Sequence, residues 1–187
     1  MKLPSAELLG LCFGLSEVAL SLFKRSGTKS AGTDRSSLRV LWLVILLSVT
    51  AAIVAALVLP QARSHWLARG YALGVALFAA GLVLRWYAIV YLGRFFTVDV
   101  AIAADHHVVD SGPYRALRHP SYTGALLAFV GYGICLGNWI SLVAVTLPIA
   151  WAFMRRIEVE EAALNRALGE SYAAYSRRTR RLLPWVY

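Results

Sequence analysis

Charged side chains are few in this 187-residue chain: Asp, Glu, Lys and Arg make up 16% of it, against about a quarter in soluble domains. Hydrophobic residues fill 59% of positions, more apolar surface than a soluble core of this length can hide. A soluble globular fold is therefore excluded. Cysteine is scarcer still. Cys12 and Cys135 both fall inside apolar segments, which leaves neither a disulfide framework nor a thiolate metal pair, and both read as small buried hydrophobes. There is no G-x-G-x-x-G after a strand, no Walker loop and no G-x-S-x-G, so any nucleotide-like cofactor binds outside a Rossmann or P-loop frame.

What the chain has instead is a series of apolar blocks near the roughly 20 residues that a helix needs to cross a bilayer. The first runs from about Ala6 to Phe23 and carries Glu7 and Glu17; without a basic n-region or a small-residue cleavage site it reads as a retained helix. A polar, basic loop follows over 24–39. Val40 to Leu59 is the clearest span, ended by Pro60, and a short link leads to a third from about Gly70 to Leu92. A polar connection, 93–119, precedes a fourth from about Pro120 to Leu136. Gly137-Asn138 then reverses the chain into a fifth, Trp139 to about Phe153, so that the last two spans form an antiparallel hairpin. Residues 154–187 are charged and helix-prone.

The expected fold is therefore all-α: an integral membrane protein with about five transmembrane helices and a C-terminal amphipathic helix. Three N-terminal spans occupy 1–92, and a second half, 93–187, is built on the hairpin 120–153. Fifteen Lys and Arg fall in 24–39, in 93–119 and after 154, against three (Lys2, Arg63 and Arg69) on the other side. This bias places the N-terminus outside and the polar motifs in the cytosol. The net charge of +9 reads as topology and contact with anionic headgroups rather than nucleic-acid binding, for which no folded basic domain remains.

Two polar constellations stand out. In "RHPSYTG" (118–124), proline forces its predecessor out of helical geometry and suits a first helical position, so the chain breaks at His119 and a helix begins at Pro120. That helix start offers free N–H groups and a positive dipole end at the membrane surface; an interfacial Tyr/Arg/His belt is the simpler reading of such a motif taken alone. In "RRIEVEE" (155–161), Arg156 and Glu160 are four apart and share one helical face, while Glu158 and Glu161 read as ordinary surface pairs. His106, His107 and His119 have no carboxylate or cysteine at ligand spacing, which argues against a metal. Arg85 lies about two turns from the end of its span and either snorkels or serves the site.

Taken together, "LGRFFTVDV" (92–100), "HHVVDSGPYRALRHPSYTG", "LGNW" and "RIEVEEAALNRALGESYAAYSRRTRRLLPW" resemble the isoprenylcysteine carboxyl methyltransferase family, and more loosely the phospholipid methyltransferases. The resemblance implies a cytosolic site roofed by the C-terminal segment, with S-adenosylmethionine (SAM) as cofactor and S-adenosylhomocysteine as its product. It assigns the cofactor pocket to His106, His107, Val108, Val109, Tyr114, His119, Pro120, Ser121, Tyr122 and Glu160, and substrate binding to Arg156. Arg156 and His119 are the catalytic candidates. Asp99, where eukaryotic relatives carry an uncharged amide, is a secondary candidate.

The implied reaction is methylation of the carboxylate of a lipidated, isoprenylcysteine-like acceptor. The alternatives are another acceptor (a phospholipid amine, an isoprenoid acid or a small thiol), an NADPH-dependent membrane reductase, since "RHPSYTG" is also similar to part of the membrane steroid reductases, and a non-enzymatic membrane protein. Sixteen arginines against three lysines point to a GC-rich prokaryotic genome and a prokaryotic cell membrane.

Overall fold

Where two helices of a membrane protein must touch, small residues let the backbones approach, and this chain concentrates them on its third and fourth apolar blocks. The computed structural model describes residues 3–23, 32–96 and 107–182. Among these, every regular element is helical: α1 (Ala6–Phe23), α2 (Gly32–Val58), α3 (His65–Arg69), α4 (Tyr71–Leu92), α5 (Pro120–Cys135), α6 (Trp139–Leu168) and α7 (Glu170–Arg178). Ser36–Val58, Tyr71–Phe95 and Trp139–Leu168 are long and apolar enough to cross a membrane. Their outer faces keep Leu43, Leu46, Leu57, Val83, Val90, Leu147 and Trp151 exposed, as lipid contact requires.

The tightest contact is between antiparallel α4 and α5. A Cβ on Gly81 would lie 2.5 Å from the Gly124 carbonyl and the Ala128 nitrogen, and one on Gly131 would lie 2.5 Å from the Gly74 carbonyl. Glycines seven apart on each helix thus leave backbone directly against backbone. Around this seam Phe78, Ala125, Phe129 and Tyr132 form the core, and Phe13 of α1 stacks on Phe129 with ring centroids 4.6 Å apart.

The second antiparallel pair, α2 and α6, is joined by polar bonds. Asn138 caps α6 by accepting from the Ile140 and Ser141 N–H groups, and its amide donates to the carbonyls of Ala55 and Leu59 at 3.2 and 3.0 Å. Ser141 donates to the Ala52 carbonyl at 2.6 Å. These carbonyls lie near the end of α2, so one side chain caps α6 and ties its start to the end of α2.

Three sequence expectations are corrected. α2 begins at Gly32 rather than Val40, because nothing in the preceding polar residues stops a helix there. α6 does not stop near Phe153: it runs unbroken through exposed Pro148 and the charged Glu/Ala/Leu/Arg segment to Gly169, whose φ of 54° ends it. Cys12 is exposed on the outer face of α1, while Cys135 is buried.

Substituting Gly81 or Gly124 by valine should force α4 and α5 apart, costing about 1–3 kcal/mol or more for overpacking. Thermal unfolding in detergent is expected to show a clear drop for either variant. Gly14→Ala, where an added Cβ meets nothing within 4 Å, should leave the midpoint unchanged.

Candidate active site

The α4–α5 seam fixes where α5 starts, and that start is the floor of the site. His119 is the residue before the helix, with φ −126° and ψ 56°, and Pro120 opens α5. The C-terminal segment then pairs with the strand-like stretch ahead of the break: Arg118 and His119 N–H donate to the Arg180 and Arg181 carbonyls at 2.7 and 3.1 Å, and Arg180 N–H returns a bond to the Ala116 carbonyl. Tyr175 of α7 donates to the Tyr114 carbonyl at 2.7 Å, and Tyr114 donates to the Ala88 carbonyl of α4 at 3.2 Å. Burial pushes the Tyr114, Tyr172 and Tyr175 hydroxyls well above the usual phenol range, so all three stay protonated donors. The segment after α6 is thereby laced down as a roof.

Two neighbouring carboxylates of α6 meet this floor. Glu160 Oε1 accepts from the Tyr122 hydroxyl at 2.5 Å and from Arg156 Nε at 3.0 Å, and its Oε2 lies 3.6 Å from His119 Nδ1. Glu161 is buried. It accepts from Arg118 Nε at 2.7 Å and from Arg181 at 2.9–3.0 Å, and lies 3.3 Å from His119 Nε2. The His119 ring thus stands between two carboxylates, tilted against Tyr122, which in turn packs on Phe153. Glu161 is no surface pair, as its sequence suggested. Helical geometry turns successive side chains about 100° apart, and here that turn points one carboxylate inward to Tyr122 and the other under the roof. Glu158 does form an exposed pair with Arg155.

A cavity of about 170 Å³ opens between these groups. Its polar end is lined by His107, Val108, Val109, Tyr114, Arg118, His119, Ser121, Tyr122, Glu160, Tyr172 and Tyr175. It continues between α1, α2, α5 and α6 past Phe13, Leu41, Trp42, Ile45, Phe129 and Phe153. Glu17 and Arg85 line the same space.

The structure therefore brings together His107, Val108, Val109, Tyr114, His119, Ser121, Tyr122 and Glu160. His106 and Asp99 lie outside the described residues. Pro120 is fully buried at the first turn of α5 and does not line the cavity. Arg156, 1% exposed, does not line it either: it sits behind Glu160 and donates to Ser37 Oγ of α2 at 2.5 Å. Sequence reasoning missed Glu161, Arg118 and the partnership of Glu17 with Arg85. Charges inside two separate apolar blocks were the available signal for that last pair, since each needs a partner. Among the described residues no group of three or more His, Cys, Asp or Glu is placed to hold a metal ion.

The model of the isoprenylcysteine carboxyl methyltransferase family matches residues 72–166, from α4 through α6. Protein-S-isoprenylcysteine O-methyltransferase B of Arabidopsis thaliana is 34% identical over 146 residues, covering 77% of this chain and 73% of that protein. The Homo sapiens protein-S-isoprenylcysteine O-methyltransferase is 39% identical over 82 residues, 43% of this chain and 28% of that one. The solved structure of a eukaryotic intramembrane Ras methyltransferase superposes with a TM-score of 0.63 at 29% identity; the match covers 78% of this chain and 52%, about half, of that one. These relatives are eukaryotic and lend no support to the prokaryotic source suggested by the arginine bias. By the family match and by these identities, the chain belongs to the isoprenylcysteine carboxyl methyltransferase family.

Proposed function

We propose that this protein is a membrane methyltransferase that uses SAM to esterify the carboxylate of a lipidated, isoprenylcysteine-like acceptor. The observation that carries the reading is the single cavity, in which a polar end with Glu160, His119 and Tyr122 joins an apolar arm lined by Phe13, Leu41, Trp42 and Phe153. A water-soluble donor and a lipid-tailed acceptor need such a shared space. On this reading α1, α2, α4, α5 and α6 are the five crossings, α7 and its flanks are the cytosolic roof, and the N-terminus is outside, following the fifteen-to-three distribution of basic residues.

The polar end suits the cofactor chemically. Tyr114 and Tyr122 offer aromatic surface for a purine, and Glu160, with 20% of its side chain exposed, is an accessible acceptor for hydroxyl or ammonium groups. When bound, SAM supplies the electrophile, a methyl group on a sulfonium. Arg156 and the Tyr122 hydroxyl hold the Glu160 carboxylate in one orientation, so Arg156 acts on the cofactor end through Glu160. The roof, pinned by Glu161 to Arg118 and Arg181, excludes water.

A carboxylate acceptor is already ionised at neutral pH, so no general base is required, and alignment alone can supply roughly 7–11 kcal/mol of the barrier. An amine or thiol would need a base. His119 is poorly placed for that task, because both ring nitrogens face carboxylates of the protein. This favours the carboxylate acceptor over the amine and thiol alternatives.

Three measurements test this. Glu160→Ala should lower SAM affinity by roughly 10- to 100-fold in calorimetry, the worth of hydrogen bonds to a charged group; unchanged affinity would remove Glu160 from the pocket. Radiomethyl transfer to an S-prenyl cysteine should proceed with the free acid and fail with its carboxamide, and its rate should stay level with pH above the carboxyl pKa rather than climb. Glu161→Ala removes the carboxylate that Arg118 and Arg181 share, a change that costs about 3–5 kcal/mol for buried pairs. Trypsin should then cut at Arg177 and Arg178 much faster than in the unaltered protein.

A further inference from the structure

Glu17 and Arg85 are 68 residues apart in sequence and come from different helices, yet they form a fork: Arg85 Nε and Nη2 donate to the two Glu17 oxygens at 2.7 and 2.8 Å. The third edge, Nη1, donates to the Ser121 carbonyl in the first turn of α5 at 3.2 Å. Each residue is only 7% exposed, and both line the cavity. The guanidinium thus sits at the cavity wall, against the first turn of α5.

Among the described residues Arg156 and Arg118 also lie at the site, and both are committed elsewhere. Arg156 is covered by Glu160 and Ser37, and Arg118 is held by Glu161 and by the Ser176 and Thr179 carbonyls of the roof. Among the described residues the carboxylate partner of Arg85 is Glu17, which has the chemistry of the acceptor itself. α1, which carries it, is tied to α4 by two further polar bonds, Trp86 to Ser16 and Tyr71 to the Pro4 carbonyl.

Charge counting in this low-dielectric space gives the pair a purpose. The methyl transfer joins an acceptor carboxylate oxygen to the methyl carbon, while the C–S bond breaks and its electron pair stays on sulfur. One negative and one positive charge vanish together, leaving a neutral ester and a neutral thioether. With Arg85 alone the site would carry an unbalanced positive charge both before and after transfer. With Glu17 present it is neutral in both states, which burial strongly favours. A guanidinium has five N–H donors, enough to be shared by two carboxylates.

We propose that Arg85 docks the acceptor carboxylate and that Glu17 is its resident counter-ion, yielding one edge of the guanidinium to the incoming carboxylate and reclaiming it once methylation has made an ester. Charge-assisted bonds are roughly twice as strong as neutral ones, so Glu17 competes with the acid on near-equal terms and displaces the ester. Product release is thereby driven by loss of the acceptor's charge. The inference rests on the methyltransferase reading above.

The test uses the full chain in detergent and two probes, N-acetyl-S-farnesylcysteine and its methyl ester, with binding followed by calorimetry in the absence of SAM. Glu17→Gln keeps the shape but removes the competing charge. It should bind the acid roughly 10-fold more tightly than the unaltered protein, the worth of one charge-assisted bond, and should also retain the ester. In radiomethyl transfer its first turnover should persist while later turnovers slow. The double variant Glu17→Gln with Arg85→Gln, an uncharged amide pair, should lose the preference for acid over ester while still unfolding cooperatively on heating. Unchanged acid and ester affinities in Glu17→Gln would overturn the exchange, as would a preference for the acid that survives in the folded double variant. If the unaltered protein neither binds SAM nor methylates any acid, the methyltransferase reading falls instead, which separates the two failures.

Discussion

The site depends on a contact that contains no side chain. At Gly81 and Gly124 the backbones of α4 and α5 meet so closely that a Cβ on Gly124 would lie 2.6 Å from the Arg85 nitrogen. That approach sets α4 and α5 in a single register and brings the Arg85 guanidinium level with the first turn of α5, where it reaches the Ser121 carbonyl. The helix break at His119 and the charge of α4 therefore face one cavity. Methylene groups between the helices would move the two apart by more than a hydrogen bond's tolerance. Small residues give the membrane interface its strength, and here they also set the distances of the chemistry.

Around that seam, ionisable groups are gathered into paired sets. Arg85 pairs with Glu17, Arg156 with Glu160, and Glu161 with Arg118 and Arg181. Each set joins different elements: α1 to α4, α2 and α5 to α6, and α6 to the floor and the roof. In a medium of low dielectric an unpaired charge is costly, so each pair fixes the relative position of its helices more firmly than apolar contact with lipid-like neighbours could. Removing one partner is accordingly felt at two elements at once.

Much of this was legible in the residues. Proline after histidine marks the start of α5, Asn138 marks the start of α6, and the four-residue spacing puts Arg156 and Glu160 on one face, where they bond. The cavity-lining histidine, valines and tyrosines follow from the family resemblance. Other features were illegible for physical reasons. The length of α6 was underestimated because a change from apolar to charged composition looks like the end of an element, although Glu, Ala, Leu and Arg all favour helix. Glu161 looked solvated because a carboxylate beside arginines on a helix usually is; only the fold-back of residues 179–182 buries it. Arg156 carried the expected charge, but its accessibility is a property of α2 and Glu160, which no local pattern encodes.

The unbroken α6 gives these separate facts a mechanical link. One helix carries Ser141, bonded to α2 near one end, and Arg156, bonded to Ser37 near the other, and continues as Glu160 and Glu161. The carboxylates that orient the floor and hold the roof are thus extensions of a rod clamped along α2, and their positions carry the rigidity of the bundle rather than the looseness of a loop. The opposite wall, α1, is held in a different way, by the Glu17–Arg85 fork and by bonds from Trp86 and Tyr71 of α4.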